Sequence, residues 1–233
     1  MPAAGRTTGA VRHRKRRRWH FDRPPTAARQ GRAPDQGKED FPTDRYVLQG
    51  LAEARGLTLR MLPSDLDEGL DLRTLRAALD EDVALVVLST VSYRCGALLD
   101  MAEVNAAARQ VGATVLWDLS HAVGAVPVEL AATGADLAVG CTYKYLNGGP
   151  GAPAFLYVRQ EVQSRLRQPI QGWFGQRDQF LMGPRYDPVP DLDRFQVGTP
   201  PILAMATLDP RRWTCSPRPA STGYARRAVA SAS

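Results

Sequence analysis

Between residues 41 and 208 the apolar positions follow two alternating rhythms. "YVLQGLAEARG" (46–56) spaces them as a helix ending at Gly56, and "LTLRMLP" (57–63) reads as a short strand. "LRTLRAALDE" (72–81) returns to helical spacing, and "VALVVLST" (83–90) is a continuous apolar run, the mark of a buried strand. Asp100 stands at the N-cap place of a helix, "MAEVNAAARQVG" (101–112), which Gly112 ends. "ATVLWDLS" (113–120), "ADLAVGCTYK" (135–144) and "APAFLYV" (152–158) supply three further strands. Strands that alternate with helices and are apolar throughout predict an α/β fold with a mainly parallel sheet and helices on both faces.

The ends lack this patterning. Residues 1–40, including "RHRKRRRW", hold eleven Lys/Arg against four acids, and residues 209–233 hold five against one. The centre, 41–208, holds fourteen against nineteen, so the net charge of +6 belongs to the ends. Three segments follow: a basic tail (1–40), a patterned domain (41–208) and a second tail (209–233). Both tails read as disordered by composition or as out-of-frame translation of a GC-rich gene. The polybasic run is either a solvated tail or a nucleic-acid patch, and the solvated tail is favoured. No run of about 18 apolar residues signals a membrane helix, and the charged start lacks the apolar stretch of a secretory signal. Three scattered cysteines, Cys95, Cys141 and Cys215, form no CxxC pair, which argues against a disulfide framework or zinc site and fits a reducing cytoplasm.

Polar residues gather at the carboxyl ends of the expected strands: Ser89, then Asp118 and His121, then Tyr143 and Lys144. Ligands of open α/β sheets bind at such ends. Lys144 is the only lysine from residue 41 onward, where every other cationic side chain is arginine. A lysine kept at a strand end near a carboxylate suits Schiff-base chemistry, which a guanidinium cannot perform. Pyridoxal 5'-phosphate needs such an amine, an acid for its pyridine nitrogen and donors for its phosphate. Asp118 can be that acid. Tyr143, Ser89 and the backbone of Asn147–Gly149 can be donors. Bland readings stand beside these: Asp118 as a helix N-cap, His121 as a structural histidine, Lys144 as a snorkelling side chain. "NGGPGAP" (147–153) lacks the GK[ST] ending of a P-loop and reads as a tight turn near a ligand or subunit.

Several stretches together resemble a known family. "FPTD" (41–44), "VSYRCGALLDM" (91–101), "WDLSHAVGAVPVEL" (117–130), "GADLAVGCTYKYLNGGPGAPAFLYV" (134–158) and "GWFG" (172–175) are similar to kynureninases. These are pyridoxal-phosphate hydrolases of the class V aminotransferase-like, fold-type I group, and the resemblance covers about residues 40–208. It implies a large-domain fragment that hydrolyses L-kynurenine, or 3-hydroxykynurenine, to an anthranilate and L-alanine in tryptophan catabolism. Lys144 would hold the cofactor covalently and act as the catalytic base and acid. Asp118 would pair with the pyridine nitrogen. The "FPTD" residues Phe41, Pro42, Thr43 and Asp44 would bind the cofactor, with Phe41 stacked on its ring. His121 and Ser89 would contact it, Tyr143 would bind its phosphate, and Trp173 and Thr199 would reach the phosphate near a homodimer boundary.

The family's stretch before "FPTD" and its small domain, which carries an arginine for the substrate carboxylate, have no counterpart here, so no such arginine is assigned. The nearest alternative is another fold-type I enzyme such as a cysteine desulfurase, for which the three cysteines are poorly placed. The alternative of a different class is a basic-tailed protein that binds nucleic acid.

Overall fold

The computed structural model describes residues 6–12 and 41–208. Six strands form one sheet in the order β2-β1-β3-β4-β5-β6. They are β1 (Arg6–Arg12), β2 (Thr58–Ser64), β3 (Val83–Ser89), β4 (Thr114–Asp118), β5 (Leu137–Cys141) and β6 (Ala154–Val158). β3, β4 and β5 pair in parallel, whereas β1 runs antiparallel to both β2 and β3, and β6 antiparallel to β5. Four strands thus share one direction. The sheet is mixed and mostly parallel.

β1 corrects the expectation for the first tail. Residues 6–12 of the 1–40 segment form a ladder between two core strands. Its Arg- and Gly-bearing text has no apolar period, so only long-range pairing reveals it as a strand. The remainder of that tail, most of the polybasic run and residues 209–233, Cys215 among them, lie outside the described residues.

Successive side chains of a strand point to opposite faces, and the core divides accordingly. On one face Val86 and Leu88 of β3 and Val115 and Trp117 of β4 pack with Leu75 and Val104. Those two residues belong to α2 (Leu72–Ala78) and α3 (Met101–Gln110). On the other face Val87, Leu85 and Leu116 meet Leu48 of α1 (Pro42–Arg55). Two further short helices, α4 (Gln160–Gln163) and α5 (Ile202–Ala206), follow the sheet. No helix among the described residues is long and apolar enough to cross a membrane.

The helix ends follow from local chemistry. Asp100 accepts a hydrogen bond from the Glu103 amide at 2.9 Å, so it caps α3 as expected. Gly56 takes φ 61° at the end of α1 and closes it with the left-handed turn that glycine adopts without strain. α1 starts four residues earlier than its periodicity predicts. Proline at the first position of α1 needs no amide partner and suits helical φ, so Pro42 begins the helix rather than preceding it. That places Asp44 in the first turn, pointing back toward the strand ends. β5 ends at Cys141, so Lys144 sits on the turn beyond the strand and not on the strand itself.

Two buried polar side chains beside α3 are paired. Trp117, fully buried, donates its indole N–H to Asn105 Oδ1 at 3.0 Å, and Asn105 Nδ2 donates to the Thr133 carbonyl at 3.0 Å. This chain ties α3 to β4 and to the turn that precedes β5.

Candidate active site

The parallel register aligns the carboxyl ends of three strands. Ser89 and Asp118 are direct partners across β3 and β4, and Asp118 faces Val139 of β5. Asp118 is the last residue of β4 and only 7% exposed. Its Oδ1 accepts the Ser120 amide at 2.9 Å, and its Oδ2 accepts the Ser89 hydroxyl at 3.4 Å. The first bond is the N-cap-like role that the residue type suggests. The residues that follow form a run of turns and not a regular helix.

Those turns bring His121 to Lys144. Lys144 Nζ lies 2.9 Å from His121 Nε2. Burial, and then the neighbouring Lys144 charge, push the His121 pKa below its ordinary value, with Asp118 pulling the other way. A neutral imidazole therefore accepts the lysine N–H at Nε2 and carries its own hydrogen on Nδ1. Nδ1 is buried and meets no hydrogen-bond partner.

Asp44 completes the polar group from the side of α1. Its pKa is raised to about 6 by burial first, then by the Asp118 charge and a hydrogen bond to Asp118, while Lys144 opposes the rise. A half-buried carboxyl that faces a like charge keeps its proton to higher pH, because the two charges would repel in a medium that screens weakly.

Aromatic rings wall this group. Lys144 Nζ lies 5.3 Å from the Phe41 ring centre and 5.6 Å from that of Tyr143. Phe41 meets Tyr93 edge-on at 6.0 Å, Tyr93 lies 6.0 Å from His121, and Tyr145 approaches His121 at 6.5 Å. Tyr93 and Tyr145 were not singled out from the sequence. Tyr145 adjoins Lys144 and could have been suspected, whereas Tyr93 enters through a turn 28 residues before His121 that only the fold brings close.

The lysine turn is held by its backbone. Asn147 donates to the Lys144 carbonyl and Gly148 to that of Thr142, both at 2.9 Å. Gly124 has φ 83°, and a Cβ there would stand 2.6 Å from the Tyr145 carbonyl oxygen. Glycine is therefore what allows the histidine turn and the lysine turn to touch.

Phe41, Asp44, Ser89, Asp118, His121, Tyr143 and Lys144 thus converge. Pro42 is spent on starting α1, and Thr43 is exposed on its first turn. Trp173 and Thr199 do not join the group through any contact among the described residues. Trp173 instead packs edge-on against Phe174 at 4.8 Å and Phe180 at 6.2 Å. It lies near Gly198, the residue before Thr199. Cys141 Sγ contacts the Ser120 carbonyl at 3.8 Å, and no cluster of metal-ligating side chains occurs among the described residues.

Comparisons with known proteins bear on the family and the fold. The chain is 44% identical over 174 residues to a kynureninase of Pseudomonas fluorescens, covering 73% of this chain and 40% of that protein. It spans about two fifths of the length of the curated relatives it matches. Among solved structures, an apo cysteine desulfurase of Thermococcus onnurineus NA1 superposes with TM-score 0.59 at 27% identity, covering 73% of this chain and 43% of that one. A variant of the lyase C-DES with glycine covalently linked to its PLP cofactor matches the fold alone, with TM-score 0.62 at 22% identity over 72% of this chain and 45% of that one. The aminotransferase class-V family matches residues 38–210, three quarters of the sequence and all of the site described above, and the chain belongs to that family.

Proposed function

We propose that this chain carries the cofactor-holding core of a kynureninase, which hydrolyses L-kynurenine or 3-hydroxykynurenine to an anthranilate and L-alanine. The observation that supports this most is the convergence of Phe41 and Asp44, from the "FPTD" turn of α1, on Lys144, His121 and Asp118.

Pyridoxal phosphate, the cofactor of the class-V family, fits the residues present. Asp118 is buried and makes no salt bridge with an arginine or lysine among the described residues. A buried carboxylate is stabilised by a cationic partner, and a protonated pyridine nitrogen is such a partner. When bound, the cofactor supplies an electron sink for negative charge beside the substrate's amine-bearing carbon.

Lys144 would hold the cofactor through Nζ and, once released by substrate, carry protons at that atom. His121 orients the amine by accepting its hydrogen bond. Asp118 would hold positive charge at the ring nitrogen, oriented by Ser89 and the Ser120 amide. Asp44 donates to Asp118 while protonated. Phe41 and Tyr93 would exclude water from one side, and Tyr143, whose ring lies 5.6 Å from Lys144 Nζ, would offer its hydroxyl to the phosphate. Trp173 and Thr199, apart from Lys144 in this chain, would serve the site of a second copy in a homodimer. In the net reaction water cleaves the bond between the substrate's ketone carbon and its β-carbon. Hydroxyl goes to the ketone carbon and hydrogen to the β-carbon.

The test is to add pyridoxal phosphate, reduce with borohydride and locate the label by mass. Labelling at Lys144 is expected, and labelling at Lys15 or Lys38 overturns the site. Anthranilate fluorescence with L-kynurenine then checks the reaction. Sulfide released from L-cysteine without anthranilate would replace this reading with a cysteine desulfurase.

A further inference from the structure

We infer that a second cavity, which shares no lining residue with the Lys144 group, binds a small organic oxyanion. The cavity holds about 370 Å³ and is lined by Arg55, Arg167, Arg194, Gln171, Tyr186 and Pro188, with Gln168 and Pro169 beside them. That volume lies within the range of small-molecule sites.

The donors in this cavity are already arranged. Arg194 donates Nε to the Val189 carbonyl at 3.0 Å and Nη1 to the Leu166 carbonyl at 3.2 Å and the Gln163 carbonyl at 3.5 Å. These bonds pin the guanidinium, and its Nη2 makes no hydrogen bond among the described residues. Arg167 is exposed and makes no salt bridge among the described residues. Among the described residues that line the cavity none is an aspartate or glutamate. A fixed guanidinium with Nη2 left over, beside a second cationic side chain, is a favourable arrangement for a phosphate or carboxylate, since hydrogen bonds between ionised groups are the strong ones. The Tyr186 ring, Pro169 and Pro188 form apolar wall opposite. The ligand class is therefore an oxyanion attached to an apolar or aromatic body rather than a bare ion. This inference is independent of the chemistry assigned to Lys144.

The experiment is calorimetric titration of the full chain with phenyl phosphate, benzoate and inorganic phosphate. Phenyl phosphate or benzoate is expected to bind at least tenfold more tightly than inorganic phosphate. Arg167→Gln and Arg194→Lys are each expected to weaken binding about tenfold, and Tyr143→Phe to leave it unchanged. Arg167 is exposed, so its variant tests the cavity even where Arg194→Lys disturbs folding. Binding that survives Arg167→Gln but falls in Tyr143→Phe belongs to the Lys144 group and overturns the inference. So does inorganic phosphate binding as tightly as phenyl phosphate, or no binding of any of the three.

Discussion

Asp44, in the first turn of α1, hydrogen-bonds Asp118, the last residue of β4, and the pair holds the Asp44 proton until about pH 6. A carboxyl whose pKa is raised on folding contributes stability that is full below its unfolded value, near 3.8, and lost as the pH climbs through about 6. Asp44→Asn keeps a donor for Asp118 and removes the titration. It should raise the melting temperature at pH 7.5 by about 2–4 °C, an effect of order 1 kcal/mol for a chain this size. The same variant should melt within about 1 °C of the parent at pH 4, a value within measurement scatter on that scale. Thermal melts across this range check the sign, and an equal shift at both pH values would refute the raised pKa of Asp44.

His121 has the opposite sign. Its pKa is lowered, so its contribution to stability is present above the unfolded value and lost as the pH falls through the folded one. Protonation would also end its acceptance of the Lys144 hydrogen bond. Capture of pyridoxal phosphate by the chain should therefore decline as His121 protonates, in the acid range below pH 6.5. His121→Gln, whose amide oxygen can still accept, should flatten that part of the pH profile. A profile unchanged in the variant would assign the decline elsewhere.

Ser89 and Asp118 are register partners with unequal chemistry. Asp118→Ala removes the only buried carboxylate at the strand ends among the described residues, while Ser89→Ala removes one long hydrogen bond of 3.4 Å. Loss of a charge-bearing partner is worth several times a neutral hydrogen bond. Pyridoxal phosphate retention, followed by absorbance during dialysis, should fall at least tenfold for Asp118→Ala and less than about threefold for Ser89→Ala. Equal losses would remove Asp118 from its proposed role.

Gly124 and Gly112 both have positive φ, at 83° and 76°. A Cβ at Gly124 would strike the Tyr145 carbonyl, whereas one at Gly112 meets nothing within 4 Å. Gly112→Ala should cost about 1 kcal/mol from backbone strain alone. Gly124→Ala should cost more than about 2 kcal/mol and also weaken borohydride labelling of Lys144, because the lysine turn must shift. Urea unfolding with mass mapping separates the two effects. Unaltered labelling in Gly124→Ala would show that the turn contact does not position the amine.

Asn105 joins the Trp117 indole to the Thr133 carbonyl inside the protein. Asn105→Leu leaves the buried indole N–H and the carbonyl of half-buried Thr133 without this partner, at a cost of about 2–4 kcal/mol. Urea unfolding should show that loss with an unchanged m-value. A change below about 1 kcal/mol would mean that water satisfies both groups.

Residue type and order along the chain were enough to determine the α/β class, the helix caps at Asp100 and Gly56, and the parallel core. β3 and β4 are continuous apolar runs because both faces of the sheet are covered, and that pattern is written locally. Lys144 and Asp118 could be chosen as chemistry because an amine among arginines, and an acid leaving an apolar strand, stand out from their neighbours. What tertiary structure decided is everything that depends on chain segments distant in sequence. β1 has no apolar period, and its place between β2 and β3 follows from ladder pairing alone. Tyr93 reaches His121, and Asp44 reaches Asp118, because the start of α1 and the turns after β3 and β4 all lie at the carboxyl ends of the central strands. The raised pKa of Asp44 and the hydrogen bond from Lys144 to His121 are products of burial and proximity. Neither is a property of any residue taken by itself.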